Sequence, residues 1–361
     1  MNFDLNDEQL MLRDLVDRFV ADHYDAARRL AYVAQPYGFA PANWRTLADT
    51  GLLALPFGED MGGLGGGAVE LITVAESMGR GVATEPLLPV TLLAAALIDR
   101  SDDAAAREAI LPGVIAGTRF PALAHLERGG RYLPTSLAMR FQDGGIHGQK
   151  IAVLGGGFAD LLLVTARDEE GRDQVFMVDP AGPGVARADY RLVDGSVASD
   201  IAFAAAPAKL LAGGTAALDA VLDQARLAIA AELLGLMTHM FDATLDYVKT
   251  RQQFGQPIGR FQAIQHRLAD CYALLELSRS QLYRAAAQPP AQARAAILGA
   301  KAYISASATH IAEEAVQLHG GIGTTEELMV GQAFKRVLLL TRLLGDADHD
   351  LHAYASLCRA A

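Results

Sequence analysis

The stretch that most constrains the fold is residues 247–268, which predicts two helices joined by a tight corner. An apolar run with helical spacing ends at Tyr247, and Gly255 and Pro257 then interrupt it, as glycine and proline do at turns. After the corner, apolar residues return at helical spacing, at Phe261, Ile264, Leu268, Cys271, Leu275 and Leu282. Any fold of this chain must therefore hold two helices that meet at this corner.

The corner itself carries an arginine, two amide side chains and an aromatic ring: Arg251, Gln252, Gln253 and Phe254. A guanidinium offers a fixed fork of N–H donors that matches a phosphate in bidentate fashion. An aromatic ring beside it offers a face for stacking, so the set suits a diphosphate flanked by a flat ring. An arginine at a helix end also serves as a partner of the helix dipole or as a surface charge. Taken alone, the corner leaves both interpretations open.

A second motif lies nearer the C-terminus, Gln317-Leu-His-Gly-Gly-Ile-Gly-Thr-Thr-Glu-Glu327. In this order and at this separation, RxQFGxPIxxFQxxQHxLAD and QLHGGIGxTxE resemble the acyl-CoA dehydrogenase family. The N-terminal LNDEQ and GLLALPFGEDMGGLGGG and the central GQKIAVLGGGFAD agree with the same family. The resemblance therefore covers nearly the whole chain.

The resemblance implies FAD as cofactor and α,β-dehydrogenation of an acyl-CoA thioester, as in β-oxidation, with an electron-transfer flavoprotein or similar electron acceptor. It also implies that a neighbouring subunit's helical bundle holds the adenosine-diphosphate end of each FAD. Adjacent glycines let backbone N–H groups approach such a ligand, and a glutamine carries both a donor and an acceptor for it. The matching residues are Arg251, Gln253, Phe254, Gln262, Gln317, Gly320 and Gly321. For Gln262 an ordinary helix-surface role is an equal interpretation.

The catalytic base of the resembling family is missing. Its glutamate stands in one of two places, before a glycine near the end or before an arginine on the first bundle helix. Here Leu344 precedes Gly345, and Ala225 precedes Arg226, so neither place holds a carboxylate. Asp346 lies close by and stays an alternative base. Its other interpretation is the N-cap of a last helix.

The flavin contacts of the central segment have changed as well. The resemblance implies a hydroxyl, an aromatic ring and a threonine where this chain has Leu126, Ala152 and Leu154. Contacts to the chain's own flavin ring are thus lost, while those to a neighbour's FAD remain. This asymmetry resembles the smaller subunit of heteromeric acyl-CoA dehydrogenases, so the first hypothesis is a clamp-supplying subunit in a heterotetramer. The second is a self-sufficient dehydrogenase or oxidase, a homo-oligomer with Asp346 as base.

The order of patterns predicts an α+β, acyl-CoA dehydrogenase-like architecture. We expect an N-terminal all-helical domain over 1–118, a middle antiparallel β domain over 119–210 and a C-terminal four-helix bundle over 211–361. Asn6 and Gln9 predict a capping box for the first helix. Short apolar runs separated by glycine-rich turns predict the strands. The glycine-rich GEDMGGLGGG lacks the lysine and the ribose-binding acid of nucleotide loops, so we expect an irregular connection.

Composition excludes several other classes. A formal net charge of −11 argues against general nucleic-acid binding, which needs a basic face. With only 2 cysteines and an acidic N-terminus, we expect reduced thiols, no signal or transit peptide, and a cytoplasmic protein. No apolar run is long enough for a membrane span. His266 and His319 lie in motif sequence without a metal-binding set around them, so we assign neither a role and expect no metal.

Overall fold

A computed structural model of the chain describes residues 5–132 and 138–360. Contacts between residues divide it into two compact units, and each is described by itself. Unit 1 comprises the described parts of residues 1–31, 67–83 and 226–361, and unit 2 comprises those of residues 32–66 and 84–225. The units do not follow the three segments expected from the sequence, and that three-domain division stays a prediction.

The α-helices follow the predicted order closely. They are α1 (Asp7–His23), α2 (Ala26–Val33), α3 (Pro41–Asp49), α4 (Ala68–Arg80), α5 (Ala96–Asp99), α6 (Ala104–Ile115), α7 (Gly214–Thr250), α8 (Gln262–Ala286), α9 (Pro290–His319), α10 (Met329–Leu340) and α11 (Ala347–Ala360). A π-helix over Leu87–Ala95 leads into α5. The first helix begins with a capping box, because the Asn6 side chain accepts the Gln9 N–H at 2.8 Å and the Gln9 side chain accepts the Asn6 N–H at 3.0 Å.

Within residues 5–132 and 138–360, seven strands follow α6 and precede α7 in chain order, and two short strands stand between α7 and α8. They are β1 (Pro121–Ala124), β2 (Arg140–Gln142), β3 (Gly145–Leu154), β4 (Leu161–Arg167), β5 (Asp173–Val178), β6 (Val185–Arg191), β7 (Val197–Leu210), β8 (Gln252–Gln253) and β9 (Gln256–Pro257). Helices, strands and helices in this order confirm the α+β, acyl-CoA dehydrogenase-like fold class.

The main sheet, in unit 2, is mixed rather than purely antiparallel. Strand β3 pairs with β7 and β4 pairs with β5 in antiparallel fashion, whereas β1 lies parallel to β4 from Pro121↔Leu161 to Ala124↔Val164. Strand β2 also meets β4 in parallel. The expected antiparallel sheet is therefore corrected at one edge: β1 and β4 are separated by the β2–β3 hairpin, so they pair in the same direction. Apolar side chains such as Leu162, Phe176 and Ile201 form the core beneath it.

Unit 1 is built from long helices. From Arg226 onward α7 lies in this unit, with α8 and α9 beside it, and α10 and α11 pack against α9. Helices α4 and α7 approach so closely that no side chain fits between them. A Cβ atom at Gly79 would lie 2.2 Å from the Glu232 carbonyl oxygen, and one at Gly235 would lie 2.0 Å from the Glu76 carbonyl oxygen. Both positions therefore require glycine.

The glycine-rich stretch before α4 forms the expected irregular connection. It contains a single 3-10 turn, Glu59–Met61, and close packing requires glycine at Gly63. A Cβ atom at Gly63 would lie 2.0 Å from the Phe57 carbonyl oxygen. In the part of the chain that the structure describes, no helix is long and apolar enough to cross a membrane.

Candidate functional site

The corner between α7 and α8 is a short β-hairpin. Strands β8 and β9 pair Gln252 with Pro257 and Gln253 with Gln256. The two residues between them, Phe254 and Gly255, both have positive φ, at 52° and 80°, which is the requirement of a type I′ turn. A phenylalanine rarely adopts this conformation. The turn nonetheless holds Phe254 with its side chain 90% exposed, its ring edge-on to Phe261 with centroids 6.2 Å apart.

An apolar cluster under the hairpin brings the two sequence motifs together. Its buried members are Val248 from α7, Leu268 from α8 and Leu318 from α9. Partly buried neighbours fill the spaces around them: Phe241, Leu245, Tyr247, Ile258 and Ile264. The end of α7, the start of α8 and the end of α9 are thereby fixed on one another, and the motifs at 251–262 and 317–321 lie on the same side of unit 1.

The second motif ends α9 and opens into a glycine turn. Gly320 has φ 70° and ψ −147°, a conformation that only glycine adopts readily, and a 3-10 turn follows over Gly320–Thr324. A Cβ atom at Gly320 or at Gly321 would meet nothing within 4 Å. Gly320 is thus needed for backbone conformation, and the space beside Gly321 is open to an approaching ligand.

The predicted clamp residues share one property: all are exposed. They are Arg251, Gln253, Phe254, Gln262, Gln317, Gly320 and Gly321. Over the two described ranges, the Arg251 guanidinium makes no ion pair and the three glutamine side chains make no hydrogen bond. One cation, three amides, open backbone and a bare aromatic ring fit a diphosphate joined to a nucleoside. The residues present are therefore suited to the adenosine-diphosphate half of a dinucleotide.

Tyr247 and His319 lie directly between the two motifs. Their rings stack with centroids 4.4 Å apart and an interplanar angle of 24°. His319 is buried, and its Nδ1 lies 2.8 Å from the Ala315 carbonyl oxygen, which requires the proton on Nδ1. Sequence reasoning expected no more than a hydrogen-bonded spacer at His319 and attached no function to Tyr247. Since the two residues lie far apart along the chain, their pairing left no sequence signal.

The turn that holds the buried Leu344 is stabilised by hydrogen bonds from other parts of the chain. Leu344 is buried with φ 57°, and its carbonyl oxygen accepts a hydrogen bond of 2.9 Å from Arg226 Nε. The next carbonyl, that of Gly345, accepts one from Lys301 Nζ, which also contacts Asp350 Oδ2 at 2.9 Å. Lys301 and Asp350 are both fully buried, and burial lowers the pKa of Lys301. Two internal cations thus hold this turn in place.

Asp346 stands at the N-cap of α11. Its Oδ1 accepts the His349 N–H at 2.9 Å, and its carbonyl oxygen accepts the Asp350 N–H at 3.0 Å. The structure thus shows the capping interpretation that the sequence had left open beside that of a base. At the other expected position of the base, Ala225 is fully buried within α7.

Leu126, Ala152 and Leu154, where the sequence predicts that flavin contacts are lost, all belong to unit 2. The Ile151 N–H donates to the Leu126 carbonyl oxygen at 3.0 Å, which joins the end of β1 to β3. Ala152 lies in a register shift of the β3–β7 pair, with φ 50°, and its N–H donates to Asp200 Oδ1 at 3.1 Å. The Tyr190 hydroxyl donates to the same oxygen at 2.9 Å. Ala152 therefore has its backbone held by the chain's own side chains.

A second buried ion pair was not predicted from the sequence. Lys150 Nζ lies 2.8 Å from Glu127 Oε1 and 2.8 Å from Thr165 Oγ1, and its side chain is fully buried. Burial lowers the pKa of Lys150 to about 8, although Glu127 opposes the shift. Glu127 Oε2 also accepts the Ala138 N–H at 2.6 Å. Glu127, which follows β1, thus binds both Lys150 in β3 and the backbone of Ala138 just before β2. Within the described residues, no group of three or more His, Cys, Asp or Glu side chains could hold a metal ion.

Comparison with known proteins finds family matches over most of the chain. The model for the acyl-CoA dehydrogenase N-terminal domain matches residues 6–118, and that for the C-terminal domain matches residues 212–353. The acyl-CoA dehydrogenase IpdE2 of Mycobacterium tuberculosis is 30% identical over 337 residues, covering 91% of each chain.

Two solved structures are similar over nearly their whole length. The Tcur3481-Tcur3483 steroid ACAD G363A variant is 32% identical, covers 98% of both chains and has a TM-score of 0.89. The ChsE4-ChsE5 complex from Mycobacterium tuberculosis is 26% identical, covers 100% of both chains and has a TM-score of 0.91.

Proposed function

Because the chain belongs to the acyl-CoA dehydrogenase family, we propose that it is the subunit of a heteromeric enzyme that supplies an FAD clamp and no catalytic base. FAD is the cofactor, and when bound it supplies the hydride acceptor for α,β-dehydrogenation of an acyl-CoA. This chain's part is to bind and orient the adenosine-diphosphate end. A partner chain provides the base and the acyl-CoA pocket, and the electrons leave to an electron-transfer flavoprotein or a similar acceptor.

The observation that carries the proposal is the set of exposed clamp residues on one side of unit 1. Arg251 has no ion pair within the described part of the chain, so its two-pronged donor set is available to a pyrophosphate. Phe254 offers an uncovered ring, and Gly321 offers open backbone. A chain that used these groups for its own stability would have paired them internally. Their exposure favours a ligand that another subunit also holds.

The second support is the absence of a carboxylate at both positions where the family places its base. Leu344 is apolar, and the turn around it is held by Arg226 and Lys301 through carbonyl oxygens. Ala225 is buried in α7. Asp346 uses one carboxylate oxygen to cap α11. These three observations favour a base that comes from a different chain.

The names of two similar structures add a substrate class to the proposal. One names two proteins, ChsE4 and ChsE5, in a complex, and the other names a pair with a steroid acyl-CoA dehydrogenase. Both names support a pairing of unlike chains, and the second also supports a bulky acyl group, such as a steroid side chain attached to CoA. We extend this to the present chain as part of the proposal.

The test is acyl-CoA-dependent dye reduction by the purified chain, alone and after co-expression with an acyl-CoA dehydrogenase chain that carries the glutamate base. General acid–base catalysis contributes about 10²–10⁴-fold, so we expect the chain alone to be at least about a hundredfold slower than the pair. Asp346→Asn is the control variant, because asparagine is an equally good N-cap and keeps α11 intact.

The competing hypothesis, a self-sufficient flavoenzyme, predicts the opposite result. Robust turnover by the chain alone that disappears in Asp346→Asn would assign the base to Asp346 and overturn the proposal. Turnover that needs the second chain and is unchanged in Asp346→Asn supports it.

A further inference from the structure

We infer that Tyr247 and His319 form a positioning pair that fixes the two halves of the FAD clamp relative to each other. The inference rests on the proposed function, because it assigns the clamp a means of holding its shape before the ligand arrives. Neither residue is among those expected to touch FAD. Their position between the hairpin and the glycine turn gives them this role.

The contact between them is specific in geometry. The rings stack at 4.4 Å and 24°, and the Tyr247 hydroxyl lies 3.4 Å from the His319 carbonyl oxygen. His319 cannot rotate freely, because its Nδ1–H donates to the Ala315 carbonyl oxygen one helical turn earlier. The His319 ring is held by α9 and stacks on the Tyr247 ring of α7. The stack therefore sets the distance between the two helices.

Each member of the pair is linked to one half of the clamp through the backbone. The Arg251 N–H donates to the Tyr247 carbonyl oxygen at 2.8 Å, so the hairpin starts from Tyr247. Gly320 follows His319 directly, and a Cβ atom at Gly323 would lie 2.8 Å from the Cβ of His319. A shift of His319 therefore moves the glycine turn, and a shift of Tyr247 moves Arg251.

Preorganisation explains why such a link matters. The clamp side chains are exposed and free to move, so the position of their backbones decides how much order the ligand must impose. An aromatic pair of this kind contributes enough beyond its buried area to change an affinity by about threefold to tenfold. We expect the loss of the stack to weaken FAD binding while the helices stay folded.

The experiment measures FAD affinity of the deflavinated assembly by flavin fluorescence, and thermal unfolding by circular dichroism, for Tyr247→Leu, Tyr247→Phe and His319→Leu. Tyr247→Leu and His319→Leu should each weaken FAD binding about threefold to tenfold. Tyr247→Phe should stay within about twofold of wild type, because the stack remains and only a long hydrogen bond is lost. Equal losses in Tyr247→Phe and Tyr247→Leu would overturn the inference.

A matched control comes from the same cluster. Phe241 also lies on α7 and packs against Tyr272, with ring centroids 5.8 Å apart, but it does not join the two motifs. Phe241→Leu should lower thermal stability by about as much as Tyr247→Leu and leave FAD affinity unchanged. If Phe241→Leu weakens FAD binding equally, general loosening of the bundle explains the effect and the pair has no special role.

A double-mutant cycle with Arg251→Ala separates this inference from the proposed function. If Tyr247 acts by positioning Arg251, its replacement should cost less once Arg251 is gone, whereas a purely structural effect would be additive. Unchanged FAD affinity in Arg251→Ala would defeat the proposed clamp itself. Weakened affinity in Arg251→Ala, together with wild-type affinity in Tyr247→Leu and His319→Leu, would defeat the positioning pair alone.

Discussion

Phe254 and Leu344 have nearly the same backbone conformation and opposite surroundings. Both are non-glycine residues in the left-handed region, with φ of 52° and 57°, yet Phe254 is 90% exposed and Leu344 is 8% exposed. A hairpin holds the first, and hydrogen bonds from Arg226 and Lys301 to consecutive carbonyl oxygens hold the second. The turn at Phe254 leaves its side chain exposed to solvent. The carbonyl oxygens of the turn at Leu344 accept hydrogen bonds from within the chain.

The comparison distinguishes two kinds of site. The polar side chains near Phe254 can bind a ligand, whereas the carbonyl oxygens at Leu344 are already hydrogen-bonded within the chain. Around Phe254 the polar side chains of the clamp have no hydrogen-bond or ion-pair partner among the residues that the structure describes. Around Leu344 the carbonyl oxygens are already bound, and an internal ion pair supports them. Strained backbone costs stability in both places. We therefore expect changes at the turn that holds Leu344 to act on folding and changes at the clamp to act on the cofactor.

The largest expected effect is at the turn that holds Leu344. Lys301→Met leaves Asp350 buried without its cation, which should lower the free energy of unfolding by about 3–5 kcal/mol. Chemical denaturation monitored by circular dichroism measures it. The double variant Lys301→Met/Asp350→Asn leaves no unpaired charge and should recover part of the loss. A single variant as stable as the wild type would show that the ion pair does not support the turn.

The next effect is at the clamp. In the proposed clamp, Arg251→Ala removes a charge-assisted contact to the pyrophosphate, and such contacts are worth about 1.5–3 kcal/mol, so FAD affinity of the assembly should fall about tenfold to a hundredfold. Thermal unfolding of the isolated chain should stay near that of wild type, because Arg251 makes no ion pair within the described ranges. Lys249→Ala, the same kind of change to a nearby exposed cation, is the control. Stoichiometric FAD after gel filtration of Arg251→Ala would contradict the clamp.

The smallest effect tests the strain of the exposed turn. Phe254→Asn places a residue that tolerates positive φ in a type I′ turn before glycine, and should stabilise the isolated chain by about 0.5 kcal/mol. The same variant loses the stacking ring, so FAD should bind more weakly. Phe254→Ala, which removes the ring and keeps the strain, should weaken FAD binding without the gain in stability. Chemical denaturation measures the stability of each variant, and FAD titration measures its affinity for FAD.

Much of the fold followed from local pattern. The helix–corner–helix stretch, the capping box at Asn6 and the order of helices and strands all rest on residues close together in sequence. The parallel pairing of β1 with β4 did not follow, because the direction of two distant strands depends on how the chain passes between them. The domain boundaries stay a prediction.

The candidate site also has features that the sequence predicts and features that it does not. The clamp residues lie within two short motifs, so a resemblance could identify them, and their contact with FAD stays a prediction. The Lys301–Asp350, Lys150–Glu127 and Tyr247–His319 contacts join residues far apart in sequence. No spacing rule predicts such pairs, because burial after folding decides which charges and rings meet.

The crossing of α4 and α7 has a consequence for how such a chain can change over generations. An exchange at Leu344 alters one side chain, while Arg226 and Lys301 hold the turn through backbone carbonyl oxygens. A replacement of Gly79 or Gly235 would instead force two helix backbones apart, since a Cβ atom at either position would overlap a carbonyl oxygen of the other helix. A side chain at such a turn can therefore change over generations, whereas the spacing of α4 and α7 cannot change without displacing both backbones.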